Sequence, residues 1–273
     1  MLQQDKNPSK SAMVHQCHQR AIHLTQIFTD KKLQDMNKLL VISAHSADFV
    51  WRSGGTIAKS VEQGAETLVV CLSFGERGES GELWKVDPNR SEESVKVIRK
   101  VQAQQAADIF GTPIQFLDWG DYPMLISDER IAQLTKIIGD FEPMVILTHT
   151  AKDPFNPDHP LAYQATERAR LLSCGAGVAS AFKNIDPPAW YSFEPHQPEI
   201  CDFKPDTYID ISSVFDKKIA AMNCMGAQKY LVEYYTELGG RRANHARRIS
   251  GKKEVKFAEA FQSHLPRVTN SIF

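Results

Sequence analysis

The chain has 273 residues, a formal net charge of −1, 42% hydrophobic and 24% charged residues. This is ordinary globular composition, with length enough for one large α/β domain or two small ones. The near-zero charge gives no electrostatic case for nucleic acid or an anionic membrane surface as partner, and no run approaches the ~18 apolar residues of a membrane span.

Residues 1–35 are polar and lack the apolar core of a signal peptide. They are expected to be an N-terminal extension, with Met36 a candidate start for a single domain over residues 36–273. Leu39 to Ser43 is a continuous apolar run, the pattern of a strand covered on both faces. The turn after it carries His45 and Asp48. The pair Gly54-Gly55 is expected to open a short helix that ends at Gly64. Thr67 to Ser73 reads as the second strand. The Gly-rich loop Gly75 to Gly81 follows, with Glu76, Arg77 and Glu79 on it. Glu92 to Phe110 reads as a long helix with apolar positions at Val97, Val101 and Ala107, closed by Gly111. Ile114 to Leu117 is a third strand leading to Asp118 and Asp121. Ser127 caps a helix with Asp128 and Glu129 in its first turn. Met144 to Leu147 is a fourth strand ending at Thr148-His149, and Asn156-Pro157-Asp158-His159 precedes a helix that Pro160 begins.

The alternation of strand and helix predicts an α/β, Rossmann-like three-layer sandwich, a mostly parallel sheet with helices on both faces. From about Gly175 the rhythm changes. Prolines punctuate extended pieces at Ala189 to Phe193 and Thr207 to Ile211, and a helix is expected from Val214 to Tyr235. This part reads as a C-terminal extension of the same domain. The five cysteines are irregularly spaced and odd in number, which points to reduced thiols and a cytoplasmic setting. The basic cluster Arg241, Arg242, Arg247, Arg248, Lys252 and Lys253 is expected to be a solvated helix end.

In parallel sheets ligands sit beyond the carboxyl ends of the strands. His45, Asp48, Glu76, Arg77, Asp121, His149 and His159 all fall there. Two imidazoles and a carboxylate, from His45, Asp48 and His159, make the ligand count of an open catalytic zinc site. Such ligands also serve Fe(II) and Co(II). A bound metal would leave a position for water or a substrate oxygen. His149, at a strand end beside them, is expected to be a satisfied buried histidine.

The stretch from Ala44 to Asp48 and the segment Asn156-Pro157-Asp158-His159 resemble the two signature motifs of the LmbE-like (PIG-L) family of zinc-dependent deacetylases, Ala-His-Pro-Asp-Asp and His-Pro-Asp-His. Gly54-Gly55, the Gly75-Glu76 loop and Lys217 to Ala221 also fit, so the resemblance covers Met36 to Gln228. It implies the LmbE-like fold, with His45, Asp48 and His159 as metal ligands and Asp158 orienting its neighbours. It also implies Arg99 and Asp121 as substrate-holding positions. Two departures stand out. Ala47 replaces the family's general base, and Asn156 replaces a histidine assigned to the oxyanion or to acid catalysis. The alternative is a zinc-dependent N-acetyl sugar deacetylase, against which Ala47 and Asn156 argue, because this chain lacks at both positions the groups the family uses as base and acid in amide hydrolysis.

The runs Ser43 to Arg52, Leu72 to Ser80 and Phe193 to Glu199 are instead similar to a hydratase branch of the family. That likeness implies addition of water across a conjugated C=C of a tricarboxylic keto or enol acid. Acid–base candidates are then Glu76, Glu79 and His196. The substrate is a small-molecule tricarboxylate, for which Arg77 and Arg99 are the first guanidinium partners, followed by Arg52 and the Arg241-Arg242 pair. Asp121 and Asn156 complete the expected substrate contacts, and a homo-oligomer is expected.

Overall fold

A computed structural model describes residues 37–178 and 184–268. The expected extension over residues 1–35 lies outside the described residues. Seven strands share one sheet: β1 (Lys38–Ser43), β2 (Glu66–Cys71), β3 (Ile114–Phe116), β4 (Val145–Thr148), β5 (Ala189–Phe193), β6 (Thr207–Asp210) and β7 (Ala258–Ser263). Their order is β3-β2-β1-β4-β5-β7-β6. The first five in that order are parallel, and β7 runs antiparallel between β5 and β6. The chain from Gly175 onward therefore extends the same sheet.

β1 shows why its sequence is apolar throughout. Leu39 and Val41 point into one hydrophobic cluster, and Leu40 and Ile42 into another on the opposite face. The first cluster is roofed by the helices α1 (Asp48–Glu62), α3 (Glu92–Phe110) and α6 (Phe215–Asn223), and the second by α4 (Asp128–Phe141) and α5 (Asp158–Ser173). The short α2 (Gly81–Val86) and the long α7 (Leu231–Ser250) complete the set. Ser127 caps α4 as expected, its side chain accepting from the Arg130 N–H at 3.3 Å.

Several elements differ from the sequence reading. α1 begins at Asp48, and the glycine pair lies in its middle, where the structure needs it for close approach. A Cβ on Gly54 would stand 2.5 Å from Phe110, and one on Gly55 2.6 Å from Ile211. The buried stripe of α3 is Val95, Arg99, Ala103, Ala106, Ala107 and Phe110, so Ala107 is buried as expected while Val97 and Val101 are 55% and 51% exposed. An arginine holds the inward face because protein acceptors surround its guanidinium. The helix expected over Val214 to Tyr235 is broken by a 3₁₀ turn at Gly226–Gln228. That turn carries a side chain to the site.

Candidate metal centre

β1 and β4 are neighbours whose chains turn to opposite sides of the sheet, so their carboxyl ends flank the topological switch point. His45 leaves the end of β1 and His149 the end of β4. Asp48 opens α1, and its carboxylate folds back to accept the His45 N–H at 2.8 Å. His159 stands in the first turn of α5. The donor atoms of His45, Asp48 and His159 all lie within 4.8 Å of one another, and all three residues are buried.

The atoms around this cluster are sorted by partner. His45 Nε2 faces Asp121 Oδ1 at 3.1 Å and Asp158 Oδ2 at 3.3 Å. Its other nitrogen, Nδ1, lies 3.4 Å from Asp48 Oδ2 without a hydrogen bond. His159 Nδ1 is held by Asp153 Oδ2 at 2.7 Å, and its Nε2 is unpartnered 3.6 Å from Asp48 Oδ1. Each imidazole is thus tethered through one nitrogen to carboxylate and offers the other toward Asp48, the carboxylate–histidine pattern that orients metal ligands. Two buried, unmatched imidazole nitrogens flanking a carboxylate fit a divalent cation, which would satisfy all three groups at once.

The protonation pattern follows from the packing. Burial works against a charge on His45, but Asp121, Asp158 and Asp48 together hold its pKa well above the usual value. Burial likewise opposes the Asp48 carboxylate, which the neighbouring His149 and His159 hold well below the usual range. His149 stacks on His159 at 4.1 Å, and its Nε2 accepts the Ala44 N–H at 2.9 Å. Burial pushes its pKa down to about 4, and its Nε2 also lies 3.3 Å from Asp48 Oδ2. The expected satisfied histidine is satisfied on one side only: Nε2 accepts from Ala44, while the buried Nδ1 has no hydrogen-bond partner among the described residues.

Asp158 accepts the Tyr122 and Met124 N–H groups, each at 2.9 Å, and so is fixed where it faces His45. Glu79 faces the opposite nitrogen: its Oε1 is 3.9 Å from His45 Nδ1. The backbone at Gly75 makes this possible, with φ at +70° and an added Cβ 3.1 Å from that of His45. Glu79 Oε1 accepts Asn156 Nδ2 at 2.6 Å, and its other oxygen accepts Gln228 Nε2. Burial raises the Glu79 pKa against the attraction of His45.

His196 stands on the segment after β5, pinned by α7. Tyr234 donates its hydroxyl to the His196 carbonyl at 2.7 Å, and Tyr235 Oη lies 3.4 Å from Nδ1. Burial, then the Arg52 guanidinium, bring its pKa down to about 4.

Other expected site residues are placed elsewhere or already engaged. Glu76, expected as an acid–base group, is buried 3.7 Å from Lys96. Both its carboxylate oxygens are buried without a hydrogen-bond partner among the described residues, and burial, with Asp121 and Asp118 adding to it, raises its pKa. The Arg77 guanidinium is turned outward, 52% exposed and paired with Glu92 at 3.0 Å. Arg99 is fully enclosed, its donors taken by Phe74 O, Gln102 Oε1 and Gln228 Oε1. Asp121 accepts the Arg77 and Gly78 N–H groups on one oxygen and meets His45 with the other. Asn156 donates to Glu79 and accepts the Asp158 N–H. Arg77, Arg99, Asp121 and Asn156 therefore serve the architecture of the centre. Most of their polar atoms are used by protein partners, although Asp121 Oδ1 faces His45 without a hydrogen bond.

Asp153 and Gln228 were not anticipated. Asp153 sits in a loop six residues before His159, a spacing with no regular-structure meaning. Gln228 comes from the 3₁₀ turn and links Arg99 to Glu79. Nothing local in sequence marks it.

A parallel sheet that opens at its switch point onto a His–Asp–His cluster is the arrangement expected of the PIG-L (LmbE-like) family, and the chain belongs to that family. The family pattern, described as GlcNAc-PI de-N-acetylase, matches residues 40–170. The chain is 46% identical over 236 residues to 4-oxalmesaconate hydratase of Pseudomonas putida, a match covering 85% of this chain and 91% of that protein. The crystal structure of GalB, the 4-carboxy-2-hydroxymuconate hydratase of the same bacterium, aligns with a TM-score of 0.84 at 45% identity, over 87% of this chain and 100% of that one. Diacetylchitobiose deacetylase of Thermococcus kodakarensis is 24% identical over 207 residues, 73% of each chain. Among the described residues, no helix is long and apolar enough to cross a membrane.

Proposed function

We propose that the protein is a metal-dependent hydro-lyase that adds water to the C=C bond of 4-oxalomesaconate, or of its enol form, giving 4-carboxy-4-hydroxy-2-oxoadipate in gallate degradation. The observation that carries this reading is an intact His45–Asp48–His159 cluster beside Ala47. Ala47 is a buried side chain that can take no proton where amide hydrolysis would need a base. The similarity to the Pseudomonas putida hydratase supports the same reaction class.

Zinc suits the donor set, and Fe(II) or Co(II) would share it. A cation held by His45, Asp48 and His159 would supply Lewis acidity for water or an enolate oxygen. Glu79 is held by Asn156 and Gln228 with its carboxylate toward the centre, and its raised pKa suits it to accept a proton from water. The hydroxyl goes to the carboxyl-bearing carbon and a proton to its neighbour. His196 is the donor for that second carbon. Its Nδ1 faces the Tyr235 hydroxyl at 3.4 Å, which leaves Nε2 to deliver the proton. The substrate's carboxylates would counter Arg52 and raise the His196 pKa in the complex. Asp153 and Asp158 orient the two ligand imidazoles.

The test is the ultraviolet absorbance of 4-oxalomesaconate on adding zinc-loaded protein, with a chelated control. A chelator-sensitive loss of the conjugated chromophore is expected. No loss with metal bound would overturn the reading. The free cysteines Cys71, Cys174, Cys201 and Cys224 support a cytoplasmic setting. The exposed Val97 and Val101 on α3 support a homo-oligomer, which sedimentation would check.

A further inference from the structure

A tricarboxylate needs cationic partners, and the two arginines first expected to supply them are turned away or already bonded. Arg52 differs. It lies on α1, one turn beyond Asp48, and its side chain is 1% exposed. Nη1 donates to the Glu194 carbonyl at 3.3 Å, and the guanidinium lies over the Phe193 ring at 5.8 Å. Nε and Nη2 have no hydrogen-bond partner among the described residues. These two nitrogens form the side-on edge of the guanidinium, which grips carboxylates bidentately. Arg242 shows that edge filled, with Nε and Nη2 both donating to the Glu194 carboxylate. In Arg52 the edge makes no hydrogen bond, with Nη2 left without a partner, and it is aimed at the centre, because Nε is ion-paired with Asp48 Oδ1 at 3.3 Å. That oxygen is also the one nearest His159 Nε2.

Asp48 supplies an opposite charge to one of these donors, but a buried guanidinium with two donors outside any hydrogen bond remains costly until a further anion completes the fork. We propose that the Nε–Nη2 edge of Arg52 anchors one carboxylate of the substrate beside Asp48. The anchor lies on the side of the centre from which the His196 segment is reached, since Glu194 connects the two through its carbonyl. The identity of that carboxylate rests on the hydratase reading. Arg52 is a substrate-binding residue here and takes part in no proton transfer, because its guanidinium stays charged.

The experiment uses R52Q and R52K in the full chain, with zinc content, steady-state kinetics and calorimetric titration with 4-carboxy-4-hydroxy-2-oxoadipate. R52Q is expected to keep its zinc and to bind that product on the order of 10–100-fold more weakly. Its KM should rise by a similar factor while kcat falls less. R52K should recover only part of the loss, because an ammonium keeps the charge without the fork. Wild-type turnover with undiminished product affinity in R52Q would overturn the anchor while leaving the hydratase reading intact. Loss of zinc from both folded variants would also overturn it, making Arg52 a counter-ion of Asp48. Wild-type protein that neither hydrates nor binds these acids would bring down the hydratase reading itself, and the anchor with it.

Discussion

Two clusters of buried charge flank α1, and they are built oppositely. At its middle, Glu259 of β7 accepts the Gly55 N–H at 2.9 Å, the Thr56 N–H at 2.7 Å and the Thr56 hydroxyl at 2.6 Å. It also accepts Lys218 Nζ at 2.6 Å, while Lys218 donates to the Trp51 carbonyl as well. The ion pair thus inserts into the helix ladder around the glycine pair and ties α1 to α6 and β7. Every side-chain oxygen and nitrogen of this cluster is matched. At the N-terminus of the same helix, His45 Nδ1, His159 Nε2 and two Arg52 nitrogens are buried and unmatched. Burial and charge alone do not distinguish the two regions. Satisfaction of hydrogen bonds does: the first network is complete, and the second keeps buried groups that a cation and a substrate carboxylate would match on the proposed reading.

The comparison can be broken at several points. The largest effect is expected from His45→Ala or His159→Ala, which should remove metal and turnover together, by about 10³-fold or more in rate. Stoichiometric zinc retained in either variant would end the ligand assignment. Next comes Glu259→Ala, which strands Lys218 in the interior. It should cost about 3–5 kcal/mol of stability, read from denaturant midpoints, with the zinc stoichiometry of the folded fraction unchanged. A negligible shift there would show that the matched cluster is not structural.

Asp153→Asn should weaken metal binding by about 10–100-fold in a zinc-competition titration, because His159 loses the carboxylate that orients it. Unaltered affinity would remove Asp153 from the centre. The smallest effect concerns pH. His149 and His196 have pKa values of about 4, burial being the first cause for each. An unfolded chain binds those protons near 6.5. Between 6.5 and 4 the unfolded state therefore takes up more protons, and stability should fall as the pH drops through that window. Denaturant midpoints of the metal-free protein that stay flat from pH 7 to 4.5 would contradict it. In R52Q the His196 pKa should move up from about 4, a shift visible by NMR titration.

Much of this was readable locally. The apolar runs of β1, β2 and β4 and the Ser127 cap are properties of short stretches. So is the turn that sets His45 beside Asp48. The C-terminal third was less legible. The Ala-Glu-Ala opening of β7 has weak strand propensity. It is a strand because β5 and β6 offer it edges on both sides. The inward face of α3 was misread because Val97 and Val101 look like core, while Arg99 looks like surface. The acceptors that admit Arg99 come from Phe74 and Gln228, remote in sequence.

The sequence by itself determined the fold class and the likeness to the PIG-L family. It also held the residues of the metal cluster, because hydrophobic period, turn chemistry and ligand type are written in contiguous residues. Only the tertiary structure decided which charged groups face the centre. It turned Arg77 outward, set Glu76 near Lys96, engaged Arg99 in internal hydrogen bonds, and left the Nη2 of Arg52 without a partner beside Asp48. Those outcomes depend on which donors and acceptors meet across the fold once α1, α3, α7 and the loops pack. A long charged side chain has reach enough to choose among partners that its neighbours in sequence do not name.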